Sequence, residues 1–180
     1  RTCLSIVIIN RKIRIKSRIM KILILVSILC VSLFSWDFNY NELTENETKL
    51  TEKLIKIGEP HGLGLELAAI GIIETRLGKY ESNNNYICGI HQINTKIAMK
   101  RIGSNGDKNK FCNEINTNKN LSSILALNEL IYWKKYTRNN IKKMITNYNS
   151  GFEKSSHSDE YLRRFMIVYK ELKKENVLHG

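Results

Sequence analysis

Glu74 stands near the end of "LELAAIGIIETRLGKY", residues 65–80, a segment that is apolar on nearly every side. A carboxylate there costs free energy unless it is paired, hydrated or put to use. On a helix it shares a face with Leu67, Ile70, Gly71 and Leu77, so the side chain leaves from the apolar side. Desolvation at such a position disfavours the charged form and raises the pKa. A carboxylic acid held protonated near neutral pH is what a general acid at a glycosidic oxygen requires. The competing expectation is an ordinary acid that snorkels to solvent or pairs with an arginine such as Arg76. Taken alone, the helix favours that plainer expectation.

Two segments downstream reverse the balance. "CGIHQIN", residues 88–94, and "TNYNSG", residues 146–151, follow the acid in that order. Together the three resemble the goose-type-lysozyme-like lytic transglycosylases, which cut bacterial peptidoglycan. Glu74-Thr75 matches that family's Glu-Ser pair at the end of a buried helix. Gly89-Ile90-His91-Gln92-Ile93 matches its Gly-Leu-Met-Gln-Ile segment, and Asn147-Tyr148-Asn149-Ser150-Gly151 its Ala-Tyr-Asn-Ala-Gly segment. "NLSSILALNEL" is similar to the helix between the second and third segments. "DEYLRRF" is similar to the closing helix, whose tyrosine corresponds to Tyr161. Each motif is weak alone; several in order over residues 54–172 are fairly specific.

The resemblance implies a lysozyme-like helical domain and a role for each matched residue. Glu74 would protonate the β-1,4 bond between MurNAc and GlcNAc, then take the proton of the sugar's own C6 hydroxyl, so that a 1,6-anhydro ring closes without water. Substrate groups would stand in for a second carboxylate. Tyr148 would point its hydroxyl at Glu74 or the N-acetyl group, although its helical spacing reads equally as core. Gln92 would bind sugar hydroxyls, Gly89 would let backbone approach the glycan, and Ile90 and Asn149 would share the groove. Thr75 keeps the hydroxyl of the family's serine, which supports the acid. Tyr161 reads as cleft or core with nearly equal weight. His91 departs from the family, which has methionine there; an imidazole would stack on a sugar, hydrogen-bond to it or titrate beside Glu74. No metal or other cofactor is called for.

These residues need elements to hold them. The chain has 180 residues, 42% of them apolar, with one Pro and ten Gly, which suits one globular domain. Helices are expected over residues 41–57, ahead of Gly58, Pro60 and Gly62, and through the Glu74 segment. Residues 77–89 read as a loop, residues 92–102 as a short helix and residues 103–110 as another loop. A further helix takes Asn120 as N-cap, with Leu121, Ile124, Leu125 and Asn128 on one face. Ile141, Met144, Ile145 and Tyr148 space as a helix ended by Gly151, and the last helix runs from Ser158 through Tyr161, Phe165, Tyr169 and Leu172. The fold class is therefore all-α and single-domain, with a small irregular or β-like piece around residues 86–93 near the sugar groove.

Of the net charge of +12, seven units come from residues 1–35, which contain no acid. Residues 36–180 form a mildly basic body suited to an anionic polymer or surface, without a nucleic-acid-binding arm. Residues 1–35 read as an N-terminal extension and export signal: Met20 is the expected start, Lys21 the charged flank and residues 22–34 an apolar run of signal length. The runner-up is an uncleaved anchor, the chain's one contact with a membrane. The expected catalytic domain is residues 36–180, in the periplasm, the cell envelope or outside the cell.

Export leaves Cys88 and Cys112, and an even pair in an oxidising compartment reads as a disulfide ahead of two buried free thiols. On the resemblance, that disulfide would clamp the groove segment. The expected partners are peptidoglycan glycan strands and a secretion or conjugation apparatus; no nucleic acid is expected. Two competing functions keep the fold: a lysozyme-type muramidase, for which Glu81 and Asp107 are loop candidates for the second acid, and a non-catalytic wall-binding component of a secretion apparatus.

Overall fold

The computed structural model describes residues 36–80, 86–153 and 155–179. The extension and signal read over residues 1–35, and Glu81, lie outside the described residues. The chain from Phe38 to Gly180 is one compact unit. It is all-α apart from one two-stranded ribbon, with helices α1 (Glu45–Gly58), α2 (Gly64–Thr75), α3 (Thr95–Ile102), α4 (Lys108–Thr117), α5 (Lys119–Tyr136), α6 (Ile141–Ser150) and α7 (Ser156–His179). Strands β1 (Ile87–Cys88) and β2 (Ile93–Asn94) pair antiparallel, Cys88 opposite Ile93, at the β-like piece that the sequence predicts. No helix of the described residues is long and apolar enough to cross a membrane.

Helix α2 is the hub, packed by α1, α5 and α7. Its sequence has almost no polar face, and Leu67, Ala68, Ala69 and Ile70 have no exposed surface. A helix apolar all round must be enclosed by others. Leu54 from α1 and Phe165 and Val168 from α7, two of the helices packed on it, are equally buried, as is Ile145 from α6. Each such aliphatic or aromatic side chain contributes about 1.5–3 kcal/mol. Gly64 allows the α1–α2 corner to close, since a Cβ there would lie 2.5 Å from the Ile55 carbonyl oxygen.

Three sequence expectations change. Helix α4 starts inside the loop expected over residues 103–110: Asp107 caps it, accepting from the Asn109 and Lys110 amides at 2.7 and 2.9 Å, and Cys112 and Ile115 supply a narrow buried stripe. This employs Asp107 as a cap, far from the second-acid role. Helix α5 is capped by Asn118, which accepts from the Leu121 amide at 3.0 Å, rather than by Asn120. Its buried face is Ser122, Ala126, Leu130 and Trp133, and Ile124 is 50% exposed. Helix α7 starts earlier than Ser158: Ser155 and Ser158 exchange side-chain-to-amide hydrogen bonds at 3.1 and 3.2 Å, a capping box with serine at both ends.

Candidate active site

Glu74 sits in the last turn of α2, and the chain beyond it is held against its preferences. Arg76 and Leu77 both adopt positive φ, 48° and 61°, which costs non-glycine residues roughly 1–3 kcal/mol each. The surroundings offset this. Leu77 is buried, its amide bonds back to the Gly71 carbonyl at 2.9 Å, and the Gly78 amide donates to Thr75 Oγ1 at 2.8 Å. Arg76 turns away from Glu74 and pairs with Glu47 at 3.1 Å while donating to the Glu42 carbonyl. The Glu74–Arg76 pair, one form of the plainer expectation, is therefore not realised.

The Glu74 carboxyl is half-buried and opens into a cleft of about 460 Å³. Burial pushes it up to about 7; a hydrogen bond from Tyr161 and the charge of Arg164 pull the other way without prevailing. Tyr161 Oη donates to Glu74 Oε1 at 2.7 Å. Burial, and then the nearby Glu74 charge, hold the Tyr161 phenol well above the ordinary tyrosine value, so it remains a donor. Near neutral pH the acid is thus poised between its two forms, with one oxygen anchored.

The ribbon β1–β2 forms one wall. Its four-residue turn carries positive φ at Gly89 (71°) and Gln92 (49°), and the turn sorts its side chains by direction. Gln92 faces the cleft, its amide nitrogen donating to the Gly89 carbonyl at 3.1 Å. Ile90 and His91 point inward and are buried. Gly89 serves packing rather than sugar approach, because a Cβ there would lie 2.6 Å from Ser122 Oγ and 2.7 Å from Ile115 Cγ2. The Cys88–Cys112 pair stands at disulfide distance, Cα to Cα 5.6 Å, and ties this ribbon to α4.

His91 does not reach the cleft. Its Nε2 lies 3.2 Å from the Leu67 carbonyl, which can only accept, so that nitrogen carries the proton; Nδ1 faces Ser122 Oγ at 3.4 Å. Burial lowers its pKa to about 4, against the opposing effect of the Leu67 hydrogen bond. The imidazole is a neutral, fully enclosed brace between α2 and α5. The expected sugar contact and titration beside Glu74 are absent because the turn directs it inward.

Tyr148 and Asn149, from α6, do line the cleft. Tyr148 Oη donates to the His91 carbonyl at 3.2 Å and not to Glu74, one of the two partners expected for it. Burial, then the charges of Glu74 and Glu129, raise its pKa well above the usual value. The two tyrosines divide the work: Tyr161 holds the acid and Tyr148 ties α6 to the ribbon. Thr75 braces rather than touches the carboxylate, donating from Oγ1 to the Ile90 carbonyl at 2.8 Å. Thus Glu74, Gln92, Tyr148 and Asn149 line the cleft, whereas Thr75, Gly89, Ile90, His91 and Tyr161 support it from behind.

Residues not anticipated complete the walls. Arg101 from α3 and Glu129 from α5 meet in a two-pronged ion pair at 2.8 and 3.0 Å, with the guanidinium carbon 3.3 Å from the centre of the Tyr132 ring. Asn94, Asn128, Asn147 and Trp133 are also in the lining. The face read through Leu125 and Asn128, continued one residue and one turn, leads to Glu129 and Trp133. That face borders the cleft. No protein-family model, curated protein or solved structure matches the chain.

Proposed function

We propose that the protein is an enzyme that cleaves glycosidic bonds, and more particularly an exported peptidoglycan lytic transglycosylase. The observation that carries the reading is Glu74: a carboxyl opening into a cleft, pushed up to about 7 by burial and anchored through one oxygen by Tyr161. The carboxamides of Asn128 and Asn149, which make no side-chain hydrogen bond among the described residues, offer paired donors and acceptors suited to hydroxyl and N-acetyl groups. The ordered resemblance of the segments around Glu74, Gln92, Tyr148 and Tyr161 to lysozyme-like transglycosylases supports the same substrate.

In the proposed reaction the protonated Glu74 gives its proton to the oxygen leaving MurNAc C1, and the GlcNAc-bearing half departs with a new hydroxyl. Positive charge at C1 is met by the N-acetyl carbonyl of the same sugar. The Glu74 carboxylate then takes the proton of the C6 hydroxyl as that oxygen bonds to C1. A 1,6-anhydro ring forms, and Glu74 is protonated again. A pKa near 7 suits both halves, donor and acceptor. Tyr161 would keep the reactive oxygen in place through both steps.

One observation favours a second reading, a muramidase. Glu129 is a second carboxylate in the same lining and would be the base for an attacking water. Its two oxygens are both engaged by Arg101, which weakens it as a base. The disulfide-distance cysteines support an oxidising compartment, and hence export.

The test is digestion of isolated peptidoglycan by the protein and by Glu74→Gln, with mass spectrometry of the released ends. Anhydro ends that vanish in the variant are the expected result. Hydrated ends would transfer the reading to the muramidase. Sacculi left intact by both proteins would favour a wall-binding component.

A further inference from the structure

Trp133 and Gly151, in the lining of the cleft, connect to a cluster of aromatic rings. Trp133 meets Phe152 at 5.0 Å and Tyr136 at 5.6 Å, in both cases edge to face. Tyr136 and Phe152 meet at 5.2 Å with their planes 76° apart, forming a corner. The cluster has a local cause. Tyr132, Trp133 and Tyr136 share the last turns of α5, and Phe152 directly follows Gly151, the α6 cap at φ 68°. Although interlocked, Tyr136 is 57% exposed and Phe152 68% exposed.

Exposed rings fixed beside a cleft mark a place for a ligand more than a leftover of packing. We propose that Tyr136 and Phe152 form an outer subsite that extends the cleft by a further sugar ring of an N-acetylated β-1,4 glycan. A pyranose chair presents a face of C–H bonds that lies on an aromatic ring, while its equatorial hydroxyls point sideways. Asn128 and Asn149 line the adjoining cleft, are exposed, and make no side-chain hydrogen bond among the described residues, so they are open to such hydroxyls. Among the described residues the only cation in the cleft lining, Arg101, is committed to Glu129, so the groove suits an uncharged sugar ring rather than a phosphate. Two rings bury at most about 400–500 Å², short of the ~800 Å² per side of a stable protein interface. This inference rests on reading the cleft as a glycan groove, and it adds that the groove continues past Trp133.

The test is calorimetric titration of the full chain carrying Glu74→Gln, which prevents turnover, with chitotetraose and chitohexaose. The longer oligomer should bind roughly three- to tenfold more tightly than the shorter. Adding Phe152→Ala or Tyr136→Ala should erase that gain and leave tetramer affinity unchanged, while Phe152→Tyr should keep it. Both rings are exposed, and equal melting temperatures across the variants would show that folding is intact. An undiminished gain in the alanine variants, an equal loss for both oligomers, or no binding of either oligomer would overturn the subsite. Anhydro products without any length effect would leave the role of Glu74 standing and remove the shelf; length-dependent binding without cleavage would do the reverse.

Discussion

Tyr161 Oη donates a hydrogen bond to Glu74 Oε1 at 2.7 Å, joining the first turns of α7 to the last turn of α2. The bond favours the carboxylate and so opposes burial, which dominates. Removing the donor in Tyr161→Phe should therefore raise the Glu74 pKa further. If Glu74 acts as the acid, activity declines as pH rises through about 7, and in Tyr161→Phe that decline should move to higher pH. The rate at the optimum should fall roughly 10- to 100-fold as the acid loses its anchor. A pH profile of kcat/KM on solubilised glycan strands measures both. A smaller rate with an unmoved alkaline limb would mean that Tyr161 serves structure alone.

This relationship was only half legible in the sequence. The apolar spacing of Tyr161 with Phe165 and Leu172 places it on the inner face of α7, but periodicity says nothing about what the end of that face meets. Glu74 is 87 positions away, and only the packing of α7 on α2 brings them together. The acid itself was legible because a charge in a segment as apolar as α2 is costly wherever that helix goes. His91 was misjudged for the opposite reason. A four-residue turn sends neighbouring side chains to opposite sides, and which of His91 and Gln92 faces outward depends on the positive φ at Gly89 and Gln92. Helix α4 was obscured by its composition, since asparagine and lysine leave only the short stripe of Cys112 and Ile115 to show a helical period.

Gly89→Ala should destabilise the protein strongly. Alanine would have to adopt φ 71° and also place its Cβ 2.6 Å from Ser122 Oγ. Strain and overpacking together predict a loss of about 2–4 kcal/mol. Urea unfolding monitored by circular dichroism should show the lower midpoint. Ser122→Ala should not restore it, because Ile115 Cγ2 stands 2.7 Å from the same position.

Oxidised protein should take up no alkylating reagent at Cys88 or Cys112, and it should take up two equivalents at this pair after reduction. The bridge spans a sequence separation of 24, for which the chain-entropy account gives about 3–4 kcal/mol. The Cys88→Ser, Cys112→Ser double variant should therefore melt lower. Because the bridge ties β1 to α4, activity should decline with the ordering of Gln92 before global unfolding begins. Parallel thermal curves for activity and for helix content separate the two events. Modification without reductant would refute the pairing.

Glu74 and His91 should tilt the stability of the protein in opposite directions with pH. The Glu74 carboxyl is raised from 4.5 to about 7, so between those values the unfolded chain has released a proton that the folded protein retains, and stability falls as pH rises. His91 is lowered from 6.5 to about 4, so across that window the unfolded chain holds a proton that the folded protein lacks, and stability rises with pH. Where the windows overlap the two slopes offset each other. Single substitutions should expose each slope. Glu74→Gln keeps the shape and removes the ionisation, and it should stabilise the fold by roughly 1–3 kcal/mol at pH 8 while changing little at pH 4. That would be stability gained by discarding the proposed acid. His91→Met removes the acid-side loss and should flatten the curve below pH 6, whatever its constant cost in packing and in the bonds to Leu67 and Ser122. Urea titrations at a series of pH values give the slopes directly. A Glu74→Gln variant equally stabilised at pH 4 and pH 8 would show that its carboxyl titrates normally, and would remove the physical basis for assigning it the general-acid role.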